Sequence, residues 1–89
     1  MNLRFTADPG HGWLHVRRAT ALRIMGPDFV RLSRFSYQRG KTIYLEEDCD
    51  APLFMECARQ QGIEVTVQFH HVERTPIRSY ESLVHYTYS

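Results

Sequence analysis

The sequence predicts an α+β fold: a small, mostly antiparallel sheet with two helices on one face, ordered ββαββαβ and followed by a C-terminal tail. Three observations predict it. Apolar and polar residues alternate in several short runs, the period of half-buried strands. Two other runs repeat their apolar residues at spacings of three and four, the period of a helix. Pairs and clusters containing Gly or Pro separate the runs and supply the turns.

The elements follow in order. Leu3-Arg4-Phe5-Thr6-Ala7 alternates as a strand does. In Asp8-Pro9-Gly10-His11-Gly12, Pro9 sets φ for a tight turn, and Gly10 is expected to supply the positive φ of a type II turn. Trp13-Leu14-His15-Val16 is again extended, so residues 2–17 predict a hairpin. From Arg18 to Met25, Ala19, Leu22 and Met25 recur at spacings of three and predict one short helix, stopped by Gly26-Pro27. Residues 28–34 are expected to form a loop. Phe35-Ser36-Tyr37-Gln38 and Thr42-Ile43-Tyr44-Leu45 flank Arg39-Gly40-Lys41, a second hairpin. Asp50 is expected to cap the next helix, with Pro52 tolerated in its first turn. Leu53, Phe54, Cys57 and Ala58 form its buried stripe, and Gly62 follows as the residue that ends it. Ile63, Val65, Val67 and Phe69 alternate with Glu64, Thr66, Gln68 and His70, the clearest strand in the chain. The aromatic-rich tail from Pro76 to Ser89 is expected to add a last strand or to pack as an arm.

At 89 residues and 10.5 kDa, the chain has room for one domain, residues 1–89. Cys49 and Cys57 lie eight residues apart, which on one helix is about 12 Å, too far for a disulfide. A reducing, cytoplasmic setting is expected. No apolar run is long enough for a membrane span or a signal peptide. The formal charge of +1 conceals an asymmetry. Residues 1–41 carry eight Arg and Lys against two acids, and residues 42–89 carry three against eight. Such polarity suits an electrostatically steered partner or head-to-tail self-association, or it cancels within the fold.

Candidate chemistry centres on Tyr44-Leu45-Glu46-Glu47-Asp48-Cys49-Asp50-Ala51-Pro52. Clustered carboxylates can hold hard cations, but alternation along an extended segment turns Glu46 and Asp48 one way and Glu47 the other. The cluster therefore reads as a strand end, Glu46 and Glu47, followed by helix-capping Asp48 and Asp50. His11, His15, one of His70 and His71, and Cys49 could supply zinc ligands, but no close-spaced Cys/His pairs announce such a site. Cys57 reads as a buried, inert thiol. Cys49 stands near a helix start, but its acidic neighbours oppose the thiolate. The Asp8–Gly12 segment lacks the Gly-Lys-Ser/Thr ending and the following helix of a phosphate loop. No catalytic residue, metal site or cofactor is expected. A basic patch of Arg17, Arg18, Arg31, Arg34 and Arg39, with Phe35, Tyr37 and Tyr44 for stacking, offers an alternative nucleic-acid surface.

Asp8-Pro9-Gly10-His11-Gly12-Trp13, Tyr44-Leu45-Glu46-Glu47-Asp48-Cys49-Asp50 and Pro76-Ile77-Arg78-Ser79-Tyr80 together resemble a family of small uncharacterised bacteriophage and prophage proteins. Arg17-Arg18 departs from that pattern, which has a proline at the start of the first helix. The family has no established activity. The resemblance implies an accessory protein in the host cytoplasm that binds a host protein or protein–nucleic-acid complex. One version is an inhibitor of a defence or nucleic-acid-handling complex of the anti-CRISPR kind. The expected binding surface comprises Asp8, His11, Trp13, His15, Glu46, Glu47, Asp48 and Cys49. The alternatives are direct nucleic-acid binding and a metal-dependent hydrolase built on the same His and acid residues. Homo-oligomerisation through sheet edges is also expected.

Overall fold

The computed structural model describes residues 1–83, which form six strands and two α-helices. Strands β1 (Asn2–Ala7) and β2 (Gly12–Arg17) make the expected hairpin, with Arg4 opposite His15 and Thr6 opposite Trp13. Helix α1 (Arg18–Met25) leaves β2 without a linker, and β3 (Tyr37–Arg39) and β4 (Thr42–Glu46) form the second hairpin. Helix α2 (Asp50–Gln60), β5 (Thr66–His71) and the short β6 (Glu81–Ser82) complete the order. The sheet runs β5-β1-β2-β4-β3-β6 and is antiparallel at every junction except β1–β5, which is parallel. This is the mostly antiparallel α+β arrangement that the patterning predicts.

One face of the sheet carries the core. Leu14 and Val16 of β2 and Ile43 and Leu45 of β4 pack with Ala21, Ile24 and Met25 of α1 and with Ala51, Phe54, Cys57 and Ala58 of α2. Strand alternation sends Trp13, His15, Tyr44 and Glu46 to the opposite face. There the chain from Thr75 to Tyr80 crosses the sheet: Ile77 is buried, and the Tyr80 ring lies 5.1 Å from that of Tyr44. A 3-10 turn, Pro76–Ser79, shapes this crossing, and the Thr75 hydroxyl accepts a hydrogen bond from the Ile77 N–H at 3.2 Å.

Several expectations are corrected. Helix α1 buries Ala21, Ile24 and Met25, and leaves Ala19 and Leu22 exposed. Because the helix begins directly at the end of β2, the strand sets its rotation, and the row at positions 21, 24 and 25 meets the sheet. Gly26–Arg31 form a 3-10 turn in place of the first part of the expected loop. Gly10 does not take a positive φ, so the first turn is not type II. The Asp8 carboxylate closes it instead, accepting from the N–H groups of Gly10 and His11 at 2.9 Å each. A Cβ on Gly10 would stand 2.7 Å from the Arg78 guanidinium, so this glycine provides room for a crossing side chain.

Gly62 ends α2 as expected, with φ 73° and the Ile63 N–H donating to the Ala58 carbonyl at 2.9 Å. The following strand begins at Thr66, three residues later than its alternation. At this edge the sheet extends past the helices, and Phe69, apolar by parity, is 65% exposed with its ring beside that of Phe5. The tail supplies β6, and its residues 84–89 lie outside the described residues.

Candidate functional site at the acidic end of the sheet

Pairing of β2 with β4 places Trp13 opposite Glu46, and the Glu47 N–H donates to the Gly12 carbonyl at 3.1 Å. The Asp8–Gly12 turn and the acidic junction thus abut at one end of the sheet. At the other end Arg17 and Arg39 stand on either side of Thr42, and the Arg18 N–H bonds the Lys41 carbonyl at 2.8 Å. Four residues of strand separate Trp13 from Arg17, about 13 Å. Charge is therefore polarised along β2 and β4, with Asp8, Glu46, Glu47 and Asp48 at one end and Arg17, Arg18, Arg39 and Lys41 at the other, although Arg78 also reaches the acidic end.

The four acids of the junction have different fates. Glu46 does not end an exposed strand: it is buried, and its carboxylate accepts from the N–H groups of Asp48 at 2.7 Å and Cys49 at 2.9 Å. It therefore holds the turn that leads into α2. Asp50 does not cap the helix either. Its carboxylate, 2% exposed, turns toward the preceding connection and accepts from the Ser33 N–H, the Ser33 hydroxyl and the Ser36 hydroxyl. Ser36 in turn accepts from the Glu46 N–H at 2.9 Å, so one buried polar network joins the end of β4, the Ser33–Ser36 stretch and the start of α2. Asp48 is no cap, and it and Glu47 are exposed. Among the described residues, neither of these two carboxylates has a hydrogen-bond or ion-pair partner. Serines 14 and 17 positions before Asp50, in a stretch with no regular period, carried no sequence signal of this network.

Beside this junction lies a recess of about 450 Å³. Its aromatic lining is Trp13, Phe35, Tyr37 and His11, and its polar lining is Glu46, Asp48, Cys49 and Arg78. The Tyr37 ring meets Trp13 edge-on at 6.1 Å, and His11 lies 5.8 Å from it. Arg78 reaches in from the crossing segment, places its guanidinium 5.9 Å from the centre of the Trp13 ring and pairs with Asp8 at 3.1 Å. The backbone N–H groups of His11 and Gly10, together with Arg78, hold the Asp8 carboxyl below its ordinary range. Trp13 is 2% exposed, and its Nε1 is the one buried side-chain nitrogen or oxygen among the described residues without a hydrogen-bond partner. Phe35, Tyr37 and Arg78, which complete this recess, are outside the predicted binding surface. Their convergence depends on β3 and on the crossing segment.

His15 stands apart from the recess. It lies on the same sheet face, bonded to the Thr6 hydroxyl at 2.9 Å and edge-on to Tyr44 at 4.7 Å. Burial, with smaller contributions from the charges of Arg4 and His70, depresses its pKa from 6.5 to about 4. A depressed pKa means that the unfolded chain takes up the proton first. The associated stability is present above pH 6.5 and is lost as pH falls toward 4. Because the ring is only half buried, solvent screening reduces the effect to about 1–2 kcal/mol. Urea unfolding across this range is expected to show the loss, and His15→Phe to flatten it.

The remaining candidates are dispersed. Among the described residues, no group of three or more His, Cys, Asp and Glu side chains is placed to hold a metal ion. Cys49 is exposed, and desolvation followed by the charges of Glu46, Asp50 and Asp48 raises its pKa, which disfavours the nucleophilic thiolate. Cys57 is buried beside Asp28 and its pKa is likewise raised, chiefly by burial. Four of the five arginines of the basic set are engaged locally, Arg18 with Gln38, Arg31 with Asp28, Arg34 over Phe35 and Arg39 over Tyr80, while Arg17 is exposed. Among the described residues, no helix is long and apolar enough to cross a membrane.

Fold and site together define a small α+β protein with an aromatic recess at the acidic end of its sheet. No family model matches the chain, and no curated protein or solved structure is significantly similar to it.

Proposed function

We propose that the protein acts by binding a protein partner through the recess at the acidic end of the sheet. The observation that carries this reading is the grouping of Trp13, Tyr37 and Phe35 around about 450 Å³, beside the unpartnered carboxylates of Glu47 and Asp48. Aromatic anchors rimmed by charge are the composition of interface hot spots, and Phe35, 57% exposed, offers a ring for a partner to cover. The dispersal of the histidines and the raised pKa of Cys49 give the hydrolase alternative less support. The local engagement of Arg18, Arg31, Arg34 and Arg39 does the same for direct nucleic-acid binding.

The resemblance of the DPGHGW and YLEEDCD segments to phage and prophage proteins supports a host protein or protein–nucleic-acid complex as the partner, met in the host cytoplasm. In this reading the protein inhibits a defence or nucleic-acid-handling complex, as anti-CRISPR proteins do, by presenting acidic side chains where such a complex presents basic ones. The test is capture from bacterial host lysate at low and moderate salt, with wild type and Phe35→Ser as parallel baits. A partner retained by wild type and lost from the variant is expected. No partner at either salt, or equal capture by both baits, would count against the recess as the binding surface.

A further inference from the structure

Building on the reading that the recess receives a protein, we infer that its occupant is a basic side chain, arginine or lysine, presented on a peptide segment of the partner. Three independent features converge on this chemistry.

The first is charge. Of the carboxylates at this end of the sheet, Glu46 is engaged by two backbone N–H groups and Asp8 by Arg78. Asp48, on the recess wall, and its neighbour Glu47 have no partner among the described residues. Arg78, which lines the recess, is neutralised by Asp8, and Arg34 stands over the Phe35 ring, so two arginines face four carboxylates at this end. An entering cation reduces the remaining excess of negative charge, whereas an entering anion meets repulsion.

The second is the aromatic wall. Trp13, Tyr37 and Phe35 offer ring faces and edges, and cations are drawn to the negative faces of such rings. The chain's own guanidinium groups already adopt this relation here, Arg78 over Trp13 at 5.9 Å and Arg34 over Phe35 at 5.5 Å. The surface is thus compatible with a further planar cation or ammonium group.

The third is the Trp13 Nε1–H, a buried donor without an acceptor beside the recess. A lysine or arginine head group carries donors only and cannot satisfy it. A backbone carbonyl adjoining the basic side chain is an acceptor and can do so once the side chains packed over the indole shift to expose the nitrogen. The combination of cation and neighbouring carbonyl distinguishes a basic residue within a peptide from a free amine or a metal ion.

Trp13 is the only tryptophan, so its emission reports occupancy directly. The full chain is titrated at low salt with capped Gly-Arg-Gly and Gly-Lys-Gly, and with matched peptides bearing citrulline or glutamate in the central position. Saturable change is expected with both basic peptides and absent with the other two. Glu47→Gln combined with Asp48→Asn is expected to weaken the basic peptides about tenfold. Both side chains are exposed and unbonded, and circular dichroism verifies that the variant folds. Lack of saturable change with either basic peptide, equal response to citrulline, or wild-type affinity in the double variant would overturn the inference. So would saturable quenching by a short oligonucleotide instead. A lysate partner lost with Phe35→Ser but bound equally by wild type and the double variant would overturn the cationic occupant while leaving the recess reading intact. Saturable binding of basic peptides without any lysate partner would support the occupant and count against the wider reading.

Discussion

Replacement of Asp50 by alanine is expected to destabilise the fold by about 3–5 kcal/mol, more than loss of any other polar side chain described above. The carboxylate is 2% exposed and receives three donors, the Ser33 N–H, the Ser33 hydroxyl and the Ser36 hydroxyl. Truncation leaves all three beneath the start of α2 with no acceptor, and each buried orphan costs about 1–3 kcal/mol, partly recovered if water enters. Asp50→Asn restores one acceptor but directs an amide N–H₂ at groups that are themselves donors, so it is expected to recover only part of the loss. Urea unfolding followed through Trp13 emission measures this as a lower midpoint at unchanged slope. In a domain of this size, each kcal/mol corresponds to about 4–8 °C in Tm. An Asp50→Ala midpoint within about 1 kcal/mol of wild type would show that the network is not what seats the helix.

Phe54→Ala is expected to cost about 3–5 kcal/mol by a different mechanism. Phe54 is 0% exposed on the buried stripe of α2, in the cluster with Leu14, Ile43 and Leu45 of the sheet and Ile24 of α1. Removing the ring forfeits its transfer free energy and leaves a cavity that the sheet on one side and α1 on the other cannot collapse to fill. Phe54→Leu retains most of the volume and is expected to cost under about 1.5 kcal/mol. Comparable losses in both variants would mean that the neighbouring side chains relax into the space. Asp50 and Phe54 stand one helical turn apart on α2, so the double variant is expected to depart from additivity.

These two residues also show how far the site was legible. The turn residues and the acidic cluster were both visible as candidates, because their residue types are unusual for their surroundings. Strand alternation did not govern the cluster, because β4 ends at Glu46, residues 47–49 form a turn and Asp50 begins α2. The division of labour among them was not visible. Glu46 turns back to hold the N–H groups of Asp48 and Cys49, and Asp50 turns outward from its helix to Ser33 and Ser36. A capping residue and a carboxylate bonded to a distant serine have the same local sequence. Only the path of the Ser33–Ser36 stretch decides between them, and that stretch has no period to read. Phe35, Tyr37 and Arg78 joined the recess for the same reason, since each arrives on a segment whose position comes from long-range pairing.

By itself, the sequence determined the α+β class, the two hairpins, the extents of both helices to within a residue or two, and the Gly62 stop. These follow from side-chain periodicity and turn chemistry, which act between residues a few positions apart. Tertiary structure alone decided the rotation of α1, the parallel docking of β5 on β1 and the exposure of Phe69 at that edge. It also decided that Asp8 meets the Glu46–Asp48 junction at one end of β2 and β4 while Arg17, Arg18, Arg39 and Lys41 gather at the other. Each of these depends on which distant segments meet. Non-local contacts are selected by the free energy of the whole core, and no short window of residues contains that information.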